Sequence, residues 1–377
     1  MLDPRVERLG RLVVDYSLGL TPGQTFRIDA STVASPLVQA VYRAALAAGA
    51  HPYPNFSLDG LVETLLARGS EDQLAYVSPV EWQEVETLDA VLTIWSESNT
   101  RSLTRADPGR QSRLLAARRE LVNRRWDRIA AGEMRWCGTL HPTNAHAQDA
   151  DMSLADYEEF VFGACHADAD DPERHWRSVA ETLRARAAEL GSVRELRIVG
   201  PDTDLTVGVE GRTWLAADGR HNMPDGEVFT SPVESATEGE IRFTFPAIFQ
   251  GREVEDVRLR FREGRVVAAE AAHGSDYLRS LLDMDDGARV LGEVAFGLNY
   301  EIDRFTRNIL FDEKIGGTMH VALGAGFREA GGENSSGLHW DLICDLRAGG
   351  EVYADGELVW RAGRFLAQPA AEVVRRG

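Results

Sequence analysis

The sequence predicts two parts: an α/β N-terminal domain with a mainly parallel sheet, then a β-rich α+β C-terminal domain that carries the candidate site. Three observations point there. Across residues 25–95 short apolar strands alternate with amphipathic helices, an order that builds parallel sheets. After Gly191 apolar and polar residues alternate along most segments, the period of half-buried antiparallel strands. A helix from Arg177 to Leu190 carries the chain between them, so the expected domains are 1–188 and 189–377.

In the first part, TFRIDA (25–30) reads as a strand and PLVQAVYRAALAAGA (36–50) as a helix stopped at Gly49. HPYPNF (51–56) is extended, GLVETLLARG (60–69) helical, and DAVLTIW (89–95) a buried strand. The polar stretch SESNTRSLTRADPGR follows that strand's C-terminal end, where open α/β sheets place ligands; a plain connecting loop fits it as well. The arginine-rich segment 110–128 spaces Leu114, Leu115, Leu121, Val122 and Trp126 at roughly helical intervals. It reads as an amphipathic helix whose arginines face water. Ser153, three residues before Asp156, resembles an N-cap box opening the helix LADYEEFVFGAC. His141, His146, His166 and His175 lack HxH or HxxxH spacing and read as ordinary surface or hydrogen-bonded histidines.

In the second part ELRIVG, DLTVGVEG, TWLAADG, EIRFTFPAIFQG, DVRLRFREGRVVAAEAA and EVYADGELVWRAGRF read as strands. Val257, Leu259 and Phe261 take one face while Arg258 and Arg260 take the other.

Composition narrows the function classes. Sixty acidic residues against 41 basic ones leave a net charge of −19 over 377 residues, which argues against nucleic acid as a partner. The longest apolar runs are too short to span a bilayer, and the N-terminus does not read as a signal peptide. Cys137, Cys165 and Cys344 lie far apart without a CxxC pair, which fits a reducing cytoplasm.

The candidate chemistry gathers between Asn308 and Arg347. His320 is expected to close one apolar run, and His339 and Asp341 to open the next. In an extended strand His339 and Asp341 would share a face, with Trp340 turned away. Upstream, Glu227 in NMPDGEVFTSP and Glu293 in LGEVAFGLN stand where strands begin or break. Three carboxylates and two imidazoles suit two divalent ions about 3.5–4 Å apart, although scattered surface acids explain the same spacing. Competing motifs fail: HExxH and GxSxG are absent, and VALGAGFREAGG cannot open the helix a dinucleotide site requires.

These segments, with EGEIRFTFPAIFQGREVEDVRLRF, RFTRNILFDEKIGGTMHVALG and HWDLICDLR, resemble the M29 metallopeptidases, the aminopeptidase T group. ESNTRSLTRADPGR and RWCGTLHPTNAHAQDADMSLADYEEFVFGAC extend the resemblance through the first part. It implies a metal-dependent aminopeptidase acting on peptides with a free N-terminus, through two divalent ions (Zn, Co, Mn or Mg) and an activated water. It implies Glu227, Glu293, His320, His339 and Asp341 as the ligands, with Glu293 as the bridge, and a homodimer. Glu313 in FDEK is then a general base or a structural acid. The family tyrosine seven residues after the first histidine is replaced here by Phe327, which cannot donate to an oxyanion. Either another donor replaces it, with Tyr300 a candidate, or turnover is weakened. The interval between His320 and His339, 19 positions, is shorter than in many relatives. Two rivals keep the scaffold. One is a ring-cleaving dioxygenase holding one iron with His320, His339 and Asp341; the other is an inactive binding homologue.

Overall fold

The computed structural model describes residues 3–366. Among these residues the chain divides into two compact units, one running to Ser178 and taking in Asp218–Asp225, the other made of Val179–Ala217 and the chain from Gly226 onward. The division falls inside the helix Pro172–Leu190, ahead of the expected 188/189 break. The sequence does not signal the return at 218–225, because its strand, Asn222–Met223, is two residues long and has no apolar run.

The first unit is the α/β part. Strands β1 (Thr25–Ser31), β2 (His51–Ser57), β3 (Ala90–Trp95) and β4 (Arg135–Leu140) form a parallel sheet in the order β2-β1-β3-β4. Asn222–Met223 extends it beside β4, also parallel. Phe26, Ile28, Val91, Leu92, Ile94 and Cys137 are buried along it, which explains the continuous apolar character of β3. The helix Ser35–Ala47 contributes Leu37, Val38, Val41 and Ala45 to the core, and Gly49 (φ 78°) follows its end in the left-handed conformation.

One expectation needs correction here. The arginine-rich segment is two helices, Pro108–Ala117 and Arg119–Ala130, rather than one. Arg110 pairs with Glu71 at 3.0 Å and Arg124 with Glu86 at 2.7 Å, so these arginines meet acidic neighbours as well as water.

The second unit is antiparallel and β-rich. Its larger sheet runs in the order 265–270, 257–262, 237–243, 203–208, 195–200, 351–354, 357–361, 364–365, every pair antiparallel. Its smaller sheet holds β5 (Leu215–Ala217), β6 (Glu227–Thr230), β7 (Leu291–Gly297), β8 (Thr318–Gly324) and β9 (His339–Asp345), in the order β9-β8-β7-β6-β5. One core serves both sheets: Ile198, Leu205, Ile241, Leu259 and Trp360 from the first meet Val294, Phe296, Val321, Leu323 and Leu342 from the second.

Candidate metal centre

Register fixes the chemistry of the smaller sheet. Glu293 on β7 is the cross-strand partner of Ala322 on β8, and Ala322 is the partner of Asp341 on β9. Direct partners project to the same face, as do residues two apart along a strand. His320 therefore shares the face of Ala322, and His339 that of Asp341. Glu227 joins them through its pairing with Gly297. The opposite face carries Val294, Phe296, Met319, Val321, Leu323, Trp340 and Leu342 into the core. Trp340 is thus turned away from His339 and Asp341, as expected of an extended HWD. His320 lies mid-strand in β8, rather than closing the run.

Between the functional side chains this face is small. Ala295, Gly297, Ala322 and Gly324 occupy its centre, so long carboxylate and imidazole side chains converge over a floor of hydrogens and methyl groups. Glycine is also required upstream of both glutamates. Gly226 has φ 123°, and a Cβ there would come within 2.9 Å of the Asn299 side chain. A Cβ on Gly292 would come within 2.0 Å of the Ala325 carbonyl oxygen. That carbonyl has a further role. It lies 2.9 Å from His339 Nδ1 and can only accept, so Nδ1 carries the hydrogen and Nε2 faces the cluster.

The groups form a chain of close contacts. His320 Nε2 lies 3.5 Å from Glu227 Oε2 and 3.6 Å from Glu293 Oε1. His339 Nε2 lies 3.3 Å from Glu293 Oε2 and 3.6 Å from Asp341 Oδ1. Glu293 thus stands between both imidazoles. Two overlapping groups have ligand atoms within 4.8 Å of one another: Glu293, His339 and Asp341, and Glu313, His320 and Asp341. Glu227, Glu293 and His320 are buried, whereas the His339 side chain is 34% exposed and gives the cluster its open side.

The protonation pattern is that of acids and imidazoles interacting strongly with one another. Burial pushes the Glu293 carboxyl up, but His320 and His339 outweigh it and hold it at about 2. Burial would lower both imidazoles, yet the surrounding carboxylates raise each to about 10. Burial lifts Asp341 to about 6 and Glu227 well above the usual carboxylate range. Glu227 Oε2, His320 Nδ1 and Asp341 Oδ1 are buried without a hydrogen-bond partner. Orphaned buried acceptors are rare, and a carboxylate and imidazole donor set fits divalent cations.

The remaining sequence candidates fall in different places. Glu313, after the short helix Ile309–Asp312, joins His320 and Asp341 and is hydrogen-bonded by Lys314. The Phe327 ring packs edge-on against His339 at 5.3 Å and Phe229 at 5.0 Å, and its backbone N–H donates to Ser231 Oγ at 2.8 Å. Tyr300 is not placed as the substitute donor. Its hydroxyl donates to the Gly363 carbonyl at 3.0 Å and its ring stacks under Arg364 at 3.8 Å. Sequence reading missed two buried groups, Asp312 and Lys314. Burial raises Asp312 to about 7 although Thr306 donates to it twice, at 2.7 and 2.8 Å. Only their place in the FDEK segment could have flagged them.

A converging set of acids and imidazoles on an antiparallel sheet is a donor set for divalent ions, the kind that metal-dependent enzymes use. The comparisons agree, for residues 2–365 match the thermophilic metalloprotease (M29) family, and the chain belongs to it. Among similar proteins, Aminopeptidase 2 of Geobacillus stearothermophilus is 29% identical, across 96% of this chain and 98% of its own. Aminopeptidase T of Thermus thermophilus is 36% identical over 45% of each chain. The solved structure of wild-type AmpT from Thermus thermophilus superposes with a TM-score of 0.85 at 25% identity, over 96% of this chain and 99% of that one.

Proposed function

We propose that this M29 metallopeptidase is an aminopeptidase that works through two divalent ions held by Glu227, Glu293, His320, His339 and Asp341. The observation that carries this reading is the unbroken chain of 3.3–3.6 Å contacts from Glu227 through His320, Glu293 and His339 to Asp341, on one sheet face. Its β-rich unit is then the catalytic domain. Glu293, in contact with both imidazoles, would be the carboxylate shared by the two ions. When bound, such ions polarise a scissile carbonyl and make a water more acidic. The chain's own groups do the rest. Ala325 keeps the Nε2 lone pair of His339 aimed inward, and the apolar underside of the sheet keeps water from behind the centre. Glu313, beside Asp341 and His320, would take up the proton that an attacking water sheds. A carboxylate of the cluster can receive the α-ammonium of a peptide, which would restrict cleavage to the N-terminal residue.

Zinc, cobalt, manganese and magnesium all suit these donors. A homodimer follows from the family resemblance. A cytoplasmic location accords with three free, buried cysteines. Among the described residues no helix is long and apolar enough to cross a membrane. The single-iron dioxygenase needs neither Glu227 nor Glu293, and both lie within the contact chain, so nothing favours it. The test is hydrolysis of a panel of aminoacyl-nitroanilides after chelation and after adding back Co²⁺, Zn²⁺ or Mn²⁺. Release of the N-terminal residue only with added ions is expected; no hydrolysis of any substrate with any ion would refute it.

A further inference from the structure

The chain carries 41 basic side chains, and a single one is a lysine: Lys314, against 40 arginines. That lysine is completely buried, at 0% exposure. Its Nζ hydrogen-bonds the Glu313 carboxylate and lies 3.8 Å from Glu227 Oε1. Its backbone is tied on both sides: the N–H donates to Phe311 O at 3.0 Å, and the carbonyl accepts from Asn299 N–H at 3.2 Å. A sequence that otherwise uses arginine everywhere thus places its one compact ammonium inside the candidate centre. Arginine would bring a planar fork of five N–H donors, whereas lysine brings a point charge on a slender stem.

Charge counting shows what that point charge does. Glu227, Glu293, Glu313 and Asp341 bring four carboxylates to one pocket. Without ions the carboxylates repel one another where water is scarce, and the two imidazoles between them offset only part of that charge. A fixed cation beside two of them relieves part of that repulsion. Once divalent ions enter, the same cation opposes them.

We propose that Lys314 is a resident counter-cation, a positioning residue that holds Glu227 and Glu313 in place in the metal-free protein and limits how tightly ions bind. This inference rests on the two-ion reading above. It predicts a sign that a merely structural lysine would not produce, since removing the charge tightens metal binding.

The experiment is chelator competition from the metal-loaded full-length protein, with Mn²⁺ and Zn²⁺ as probes, alongside thermal unfolding with and without ions. Lys314→Met should bind the ions roughly ten-fold or more tightly than wild type, given a like charge removed from a low-dielectric pocket. Its metal-free form should melt earlier, and added ions should restore the difference. Lys314→Arg keeps the charge but not the slender stem, so it should show no gain in ion affinity over wild type. Starting from loaded protein keeps the measurement valid if Lys314→Met unfolds without ions, an outcome that supports the proposal. Unchanged or weaker ion binding in Lys314→Met overturns it, as does failure to fold even with ions. Absence of ion binding by the wild type would instead overturn the two-ion reading itself.

Discussion

Replacing Glu293 by glutamine removes a negative charge from between two imidazoles, 3.6 Å from His320 Nε2 and 3.3 Å from His339 Nε2. At an effective dielectric constant of ~20, opposite charges at such separations attract by ~5 kcal/mol each. Desolvation offsets part of that for a side chain only 4% exposed. The carboxyl, raised by burial but pulled down by the imidazoles, falls from 4.5 to about 2, which at ~1.36 kcal/mol per pH unit is a net ~3 kcal/mol. The sign follows from linkage: a depressed carboxyl contributes stability that is present above 4.5 and lost as pH falls towards 2. Metal-free Glu293→Gln should therefore unfold in urea at pH 7 with ~3 kcal/mol less stability than metal-free wild type. Its ion content should drop from about two per chain to one or none. Aminoacyl-nitroanilide turnover should fall by at least about a hundred-fold. A variant with wild-type stability and a full ion complement would refute the reasoning, because neither imidazole would then depend on this carboxylate.

Three further predictions follow from other parts of the structure. Phe327→Tyr places a hydroxyl at the ring that packs on His339, and should raise kcat by ~ten-fold or more with little change in KM; an unchanged kcat in the nitroanilide assay would show that this position does not face the reacting group. Ala322→Val adds methyl groups to the floor between Glu293 and Asp341 and should lower ion content per chain while costing ~1–3 kcal/mol in urea unfolding; full ion occupancy would contradict the floor. Burial pushes the His141 imidazole down to about 4 from 6.5. The folded chain therefore keeps it neutral while the unfolded chain protonates it, so stability is whole above pH 6.5 and falls towards pH 4 by up to ~3 kcal/mol. Urea titrations over that range should be flatter for His141→Phe, and an equal slope would argue against the assignment.

Local rules read much of this chain. Alternation along 257–261 and helical spacing along 36–50 are periodic over enough residues to fix element type. They fail where structure is decided by distant contacts. Asn222–Met223 becomes a strand because β4 offers a free edge. The arginine-rich helix breaks at Arg118 without a proline or glycine to announce it. At the candidate site, the shared face of His339 and Asp341 follows from adjacency, but that of Glu227, Glu293 and His320 depends on the register of separate strands. Family resemblance made that link; Lys314 lies inside the FDEK segment, but no local pattern encodes its burial beside Glu227.

Strands β7, β8 and β9 each speak two alphabets at once, with odd and even letters assigned to different tasks. In β8 the letters Met319, Val321 and Leu323 spell the interior, while His320, Ala322 and Gly324 spell the chemistry. Inserting or deleting one residue there would exchange the two texts wholesale, putting an imidazole into the hydrocarbon core and methionine over the carboxylates. Substitutions, by contrast, can edit one text without touching the other. A mutational scan of β8 should therefore separate into two alternating classes, one lost to unfolding and one lost to ion binding.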